Sequence, residues 1–194
     1  MSPILQTFGT PNRRNAVFVG FFVRSKLYQG YHHVSSDDQD RDLTQILLLM
    51  RWDARLGFPG GMVDEGESLA EAALREVQEE IHFFQLDPAL SSEEQKQQRS
   101  SFLGRLTPIV SHQIKPELNV HFFSCEISIE ERDYIRAHAH LAPHANAEVA
   151  GVNFIHCFDR SKKGFSTLLT HGFFAPGVRE ELISLIDHHT IEIL

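Results

Sequence analysis

The sequence predicts an α/β protein, with strands and helices layered in a sandwich. Two features carry that expectation. Apolar runs of strand length alternate along the chain with segments that carry helix-start signals, an order suited to an α/β layer architecture. A hydrophobic content of 42% that includes 15 Phe supplies an ordered core, and 194 residues suit one domain spanning 1–194.

Strands are expected at Ala16 to Val23, Ile46 to Met50, Leu103 to Ser111, Val120 to Ile127 and Val152 to Phe158. A helix opens at Ser68, where Ser68 and Glu71 form a capping box. It has no internal Gly or Pro, and Leu69, Ala72, Ala73, Leu74 and Val77 make its apolar stripe. A second helix opens at Ser128 with Glu131 as its capping partner, and a third runs from Val178 to about His188. Two polar stretches, Tyr31 to Thr44 and Gln85 to Ser101, supply no core; both read as loops inserted between elements of one domain.

Composition narrows the function classes. A net charge of −8 is the wrong sign for a dedicated nucleic-acid binder, whose footprint is basic. RNA stays open as a ligand, because the acidic charge concentrates in one segment while Arg13 with Arg14, Arg51 with Arg55, and Arg160 with Lys162 and Lys163 form local basic groups; solvated surface charge is the plainer reading of each. No stretch approaches the roughly 18 apolar residues of a membrane helix, and the N-terminus lacks a signal-peptide pattern. Cys125 and Cys157 lie in apolar runs without metal spacing, so they read as buried thiols in a reducing compartment, cytoplasmic or nuclear. The His pairs at 32 and 33, 138 and 140, and 188 and 189 lack the companions of a zinc site; His112, His121 and His171 stand as cleft candidates beside a packing role.

The chemistry concentrates between Gly61 and Phe83, GMVDEGESLAEAALREVQEEIHF. Glu76, Glu79 and Glu80 stand at i, i+3 and i+4 on the helix that starts at Ser68, so they share a face. Arg75 is the sole cation nearby. A solvated acidic face is one account; the alternative is a divalent cation, and oxygen-only ligands suit Mg²⁺ or Mn²⁺. The preceding FPGGMVDEGE turns tightly and exposes backbone, as a phosphate and metal platform requires.

This segment resembles the box of the Nudix hydrolases at every charged position: Gly61, five residues, Glu67, seven residues, then Arg75, Glu76, Val77, Gln78, Glu79 and Glu80. It departs at the last glycine, where His82 stands, so the helix end is expected to differ there. The resemblance implies a Nudix-fold α/β/α sandwich with a mixed β-sheet and metal-dependent hydrolysis of a nucleoside diphosphate linked to another group. It makes Glu79 and Glu80 metal ligands, with the Gly61 carbonyl as a further one, and Glu76 either a ligand or the base that deprotonates the attacking water. Arg75 and Glu67 correspond to a structural ion pair. Glu148 stands in a loop before a strand, where these enzymes often carry another metal or base carboxylate, although a solvated loop residue is the plain alternative.

The stretch ILLLMRWDARLGFPGGMVD, the strand NVHFFSCEI, the EVAGV segment and FSTLLTHGFFAPGVREELISLI are together similar to the snoRNA-decapping branch, which also acts as an inosine and deoxyinosine diphosphatase. That similarity makes Arg51 and Phe58, with Gly60, His171 and Phe173, candidates for a pocket that binds a nucleotide or capped RNA, against surface charge for Arg51 and core packing for Phe58. It also implies a homodimer. Where that branch has a purine-recognising His, AVFVGFFV offers Val19, Gly20 and Phe21. ADP-ribose or another nucleotide conjugate therefore stays open as substrate, as does a non-catalytic module that binds a nucleotide or a partner.

Overall fold

The computed structural model describes residues 14–26, 42–85, 89–145, 147–160 and 163–193. The expected insertion at Tyr31 to Thr44 lies outside these up to residue 41, and its last residues belong to a strand.

Strand β1 (Arg14–Lys26) organises the sheet. It pairs antiparallel with β2 (Asp42–Arg51) and β4 (Gly60–Met62), and parallel with β6 (Leu118–Glu126). The short β3 (Leu56–Gly57) and β7 (Val149–His156) extend the β2 side antiparallel, and β5 (Thr107–Lys115) forms a hairpin with β6. The sheet is therefore mixed. Two short strands, β8 (Asp159–Arg160) and β9 (Lys163–Gly164), pair separately.

Side chains alternate across a strand, and β1 uses both faces. Val17, Val19, Phe21 and Val23 point to one core, where α1 (Leu69–Ile81) buries Leu69, Ala72, Ala73, Leu74, Val77 and Ile81. Ile135 of α3 (Ile129–His138) and Phe102 of α2 (Ser92–Leu103) join that core. Phe22, with Ile46 and Leu48 of β2 and Phe122 of β6, points to the other face. There Phe165 of α4 (Phe165–His171) and Val178, Leu182 and Leu185 of α5 (Val178–His189) cover it. Helices on both faces of a mixed sheet make the expected α/β/α sandwich. Among the described residues no helix is long and apolar enough to cross a membrane.

Each of α1, α2 and α3 begins with a complete capping box, Ser68 with Glu71, Ser91 with Glu94 and Ser128 with Glu131. The middle one corrects the sequence expectation, because most of the expected loop from Gln85 to Ser101 is helix α2. Its polar composition hid it: only Phe102 is buried, so the signal was the cap rather than an apolar stripe. The third strand also shifts, starting at Thr107 because Leu103 still ends α2 and Gly104 caps it. Helix α4 and a 3-10 turn at Ala139–Leu141 were not expected.

The end of α1 resolves the missing box glycine. His82 takes the left-handed conformation itself, at φ 53°, as the C-cap. That geometry costs a β-carbon-bearing residue about 1 kcal/mol or more, and the His82 Nδ1 is buried without a hydrogen-bond partner. His82→Gly should therefore raise stability by ~0.5–1 kcal/mol, a rise of a few degrees in the midpoint of a thermal melt followed by circular dichroism.

Candidate active site

Helix α1 presents its carboxylates toward a loop that the sheet holds in place. Arg75, half-buried, sits between the two. Its Nε and Nη2 donate to the two oxygens of Glu67, each at 3.1 Å, and Nη2 also donates to the Met62 carbonyl at 2.8 Å. Its Nη1 donates to Glu76 Oε1 at 2.7 Å and to Glu79 Oε2 at 3.1 Å. One guanidinium thus ties the loop to the helix and sets a positive charge among three carboxylates. The Glu67 bonds, followed by those of Glu76, hold its proton more firmly than in free arginine.

Gly60 and Gly61 are pinned against β1, paired with Phe18 and Val17. The Gly60 N–H donates to Glu80 Oε2 at 2.7 Å. A β-carbon on Gly61 would lie 2.5 Å from Glu76 Oε1, so only glycine lets the loop lie this close to the carboxylates. Glu76 and Glu80 are buried. Burial pushes the Glu80 carboxyl up to about 8, with Glu76 and Glu148 adding to the rise and the Gly60 N–H opposing it. Burial raises Glu76 as well, against the pull of Arg75.

Glu148, exposed in the turn before β7, faces the same space. His144 is the neighbour that the sequence did not single out: its N–H donates to the Glu79 carbonyl at 2.8 Å, and its Nδ1 stands 3.6 Å from Glu148 Oε1 and 3.9 Å from Glu79 Oε2. Only its place four residues before Glu148 hinted at this.

Apart from Glu67 and Glu80, these groups line one wall of a cavity of about 590 Å³, within the range of small-ligand sites. Arg51, Arg55, Phe58, Gly60, Gly61, Glu76, Glu79 and Glu148 all line it, along with Phe18, Ile114 and Val178. Phe58 is 3% exposed and packs on Phe122 with ring centres 4.8 Å apart, so most of its surface is core. The opposite wall carries Glu181 of α5, 1% exposed, whose Oε1 is 3.6 Å from His112 Nε2. That distance exceeds a hydrogen bond, and neither Glu181 Oε2 nor His112 Nε2 has a hydrogen-bond partner. Burial, then the nearby Glu180, pushes Glu181 up to about 8. In the sequence Glu181 looks like any exposed helical glutamate. His171 does not join the cavity lining; it is exposed at the end of α4. Phe173, 62% exposed, stands outside the lining under the Arg55 guanidinium, 5.4 Å from its ring centre.

The carboxylate wall fits a hard divalent cation. Glu76, Glu79, Glu80 and Glu148 offer oxygen donors only, the buried Glu80 has no cation among its hydrogen-bond partners, and the glycine cradle lets the loop backbone lie against Glu76. Among the described residues no three such side chains are gathered to hold an ion as they stand, and Arg75 Nη1 occupies oxygens of Glu76 and Glu79.

The family model of the Nudt16-like proteins, described as U8 snoRNA-decapping enzyme-like, matches residues 33–192. The chain belongs to that family. It is 34% identical over 128 residues to the U8 snoRNA-decapping enzyme of Homalodisca vitripennis, a match covering 64% of this chain and 62% of that protein. With the U8 snoRNA-decapping enzyme of Mus musculus it shares 30% identity over 145 residues, covering 73% of this chain and 67% of the other. The chain thus spans about two thirds of the length of these relatives. Solved Nudix structures share the fold: a mutT/nudix family protein of Listeria innocua at TM-score 0.53 and 16% identity, covering 94% of this chain and 99% of that one, and one of Enterococcus faecalis at TM-score 0.58 and 12% identity, covering 95% and 65%.

Two consequences of this geometry are measurable in the Nudt16-like chain. Arg75→Ala leaves Glu67, Glu76 and Glu79 facing each other without a cation, so the metal-free protein should lose about 2–3 kcal/mol in urea denaturation, and added divalent cation should restore part of it. For Glu181 the folded value of about 8 lies above the ordinary 4.5. The folded state then holds a proton that the unfolded chain releases, so this group's contribution is fully present below about pH 4.5 and is lost as pH rises through 8. Glu181→Gln should be the more stable protein at pH 8.5, by on the order of a few kcal/mol at most, and should lose that advantage near pH 4.5.

Proposed function

We propose that this Nudt16-like chain is a metal-dependent pyrophosphohydrolase. It cleaves a nucleoside diphosphate linkage, in a nucleoside di- or triphosphate or in capped RNA, by attack of water on phosphorus. The observation that carries this reading is a single cavity lined by Glu76, Glu79 and Glu148 at one wall, with Glu80 buried behind them, and by the buried Glu181 at the other. A diphosphate and its base need these two environments within one nucleotide's length.

Mg²⁺ or Mn²⁺, held by Glu76, Glu79, Glu80 and Glu148 with the Gly61 carbonyl, would acidify a water and offset charge on the bridging phosphate oxygens. The chain's own groups position the reactants around that chemistry. Glu76 or Glu148 takes the proton of the attacking water. Arg51 donates from its fork to phosphate oxygens, and Phe58 presents a ring edge to the sugar or base. Glu181, which lines the cavity and is kept neutral by its burial, is able both to donate and to accept hydrogen bonds, so it meets the polar edge of a base. The intact set of box carboxylates argues against a silent binding module.

Glu79→Gln and Glu80→Gln preserve size and remove charge, so each should lower kcat by about 10²-fold or more while the protein stays folded. The assay is a panel of inosine, guanosine and adenosine di- and triphosphates, ADP-ribose and capped RNA, with products identified in Mg²⁺ and in Mn²⁺. Turnover near that of the wild type in both variants would remove these residues from the reaction. Turnover confined to ADP-ribose would replace the nucleotide and cap reading.

A further inference from the structure

Beside the mouth of the cavity the chain exposes aromatic rings among arginines. Trp52, 63% exposed, sits at the tip of the turn closed by the Ala54 N–H to the Arg51 carbonyl at 2.9 Å. Its neighbours Arg51 and Asp53, and Arg55 just beyond, all line the cavity. Phe173 is held on the same rim by backbone bonds: the Leu56 N–H donates to the Phe173 carbonyl at 2.8 Å, and the Ala175 N–H to the Leu56 carbonyl at 2.9 Å. The Phe173 ring is thus fixed outside the cavity, with Arg55 stacked over it. Asp53 contacts both guanidiniums, at 3.6 Å from Arg51 Nε and 3.9 Å from Arg55 Nε, which leaves a surplus of one positive charge on this patch of a chain whose net charge is −8.

Core packing does not account for two large rings left in water, and a protein-binding patch would be more continuous and less charged. Rings interleaved with arginines suit a single strand of nucleic acid, whose bases stack and whose phosphates take the cations. We propose that Trp52 and Phe173, with Arg51 and Arg55, form a stacking platform for the first nucleotides of an RNA whose 5′ end enters the cavity. This rests on the nucleotide and capped-RNA reading of the cavity and adds a site for the body of the RNA. It would distinguish a capped strand from a free nucleotide, which is too short to reach the rim.

Trp52 is the only tryptophan of the chain, so its fluorescence reports the platform without turnover. In chelator, a single-stranded RNA of about a dozen nucleotides carrying a 5′ cap should quench Trp52 emission, and a nucleoside diphosphate should leave it unchanged. Phe173→Ala should weaken the RNA titration roughly tenfold. With metal present, Trp52→Ala should raise KM for the capped strand by a similar factor and leave hydrolysis of a nucleoside diphosphate as it was. Equal quenching by the free nucleotide, binding of duplex as tight as of single strand, or quenching on raising the protein concentration alone would each overturn the platform, in favour of a mononucleotide subsite, simple phosphate attraction or self-association. Quenching by RNA in a protein that hydrolyses nothing on the panel would preserve the platform and sink the proposed activity instead.

Discussion

The site depends on how one arginine divides its hydrogen bonds. Three glutamates on one turn and a half of α1 repel each other, and a low-dielectric setting magnifies that repulsion. Arg75 offsets it while both its other edges are fixed to the loop, on Glu67 and the Met62 carbonyl. The same ion therefore stabilises the helix, fixes the distance between helix and loop, and keeps the Glu76 and Glu79 carboxylates oriented. Two of these acids are buried where a carboxylate is costly, and the tight fold around them is stable only with compensation.

The sheet supplies the rigidity this balance requires. β1 holds the Gly60–Gly61 strand on one side through backbone pairing, and the core on the same face holds α1 in place by its apolar stripe. Loop and helix are thus referenced to the same strand. The close approach of Gly61 to Glu76 is a packing consequence of that shared reference, and the glycine is required there because nothing can give way: the loop is bonded to β1 and the carboxylate to Arg75.

The sequence announced what is local. Capping boxes mark the starts of α1 and α3, and the carboxylate spacing locates the acidic face, because both arise within a few residues. Helix α2 escaped because a helix that buries a single Phe carries almost no periodic signal. Phe58 read as a pocket candidate beside a core role, and its burial against Phe122 depends on a strand far along the chain. Glu181 and His144 were invisible for the same reason. A buried acid and a solvated one are spelled alike, and only packing by α5, β5 and the turn before β7 tells them apart. His82 shows the converse, since the loss of a box glycine was plain but its tolerance of a left-handed backbone was not.

The two walls of the cavity come from different stretches of chain. The acidic wall is drawn mostly from β4 and α1, secured to each other by side-chain and backbone bonds, whereas Glu181 arrives on α5, which rests on the far face of the sheet through Val178, Leu182 and Leu185. Apolar packing of that kind tolerates repacking better than a charged network does. Substitutions accumulating between residues 165 and 189 can therefore reshape one wall while the bonds among Arg75, Gly60 and the α1 glutamates stay as they are, so relatives that share the acidic helix are free to diverge in what the cavity admits.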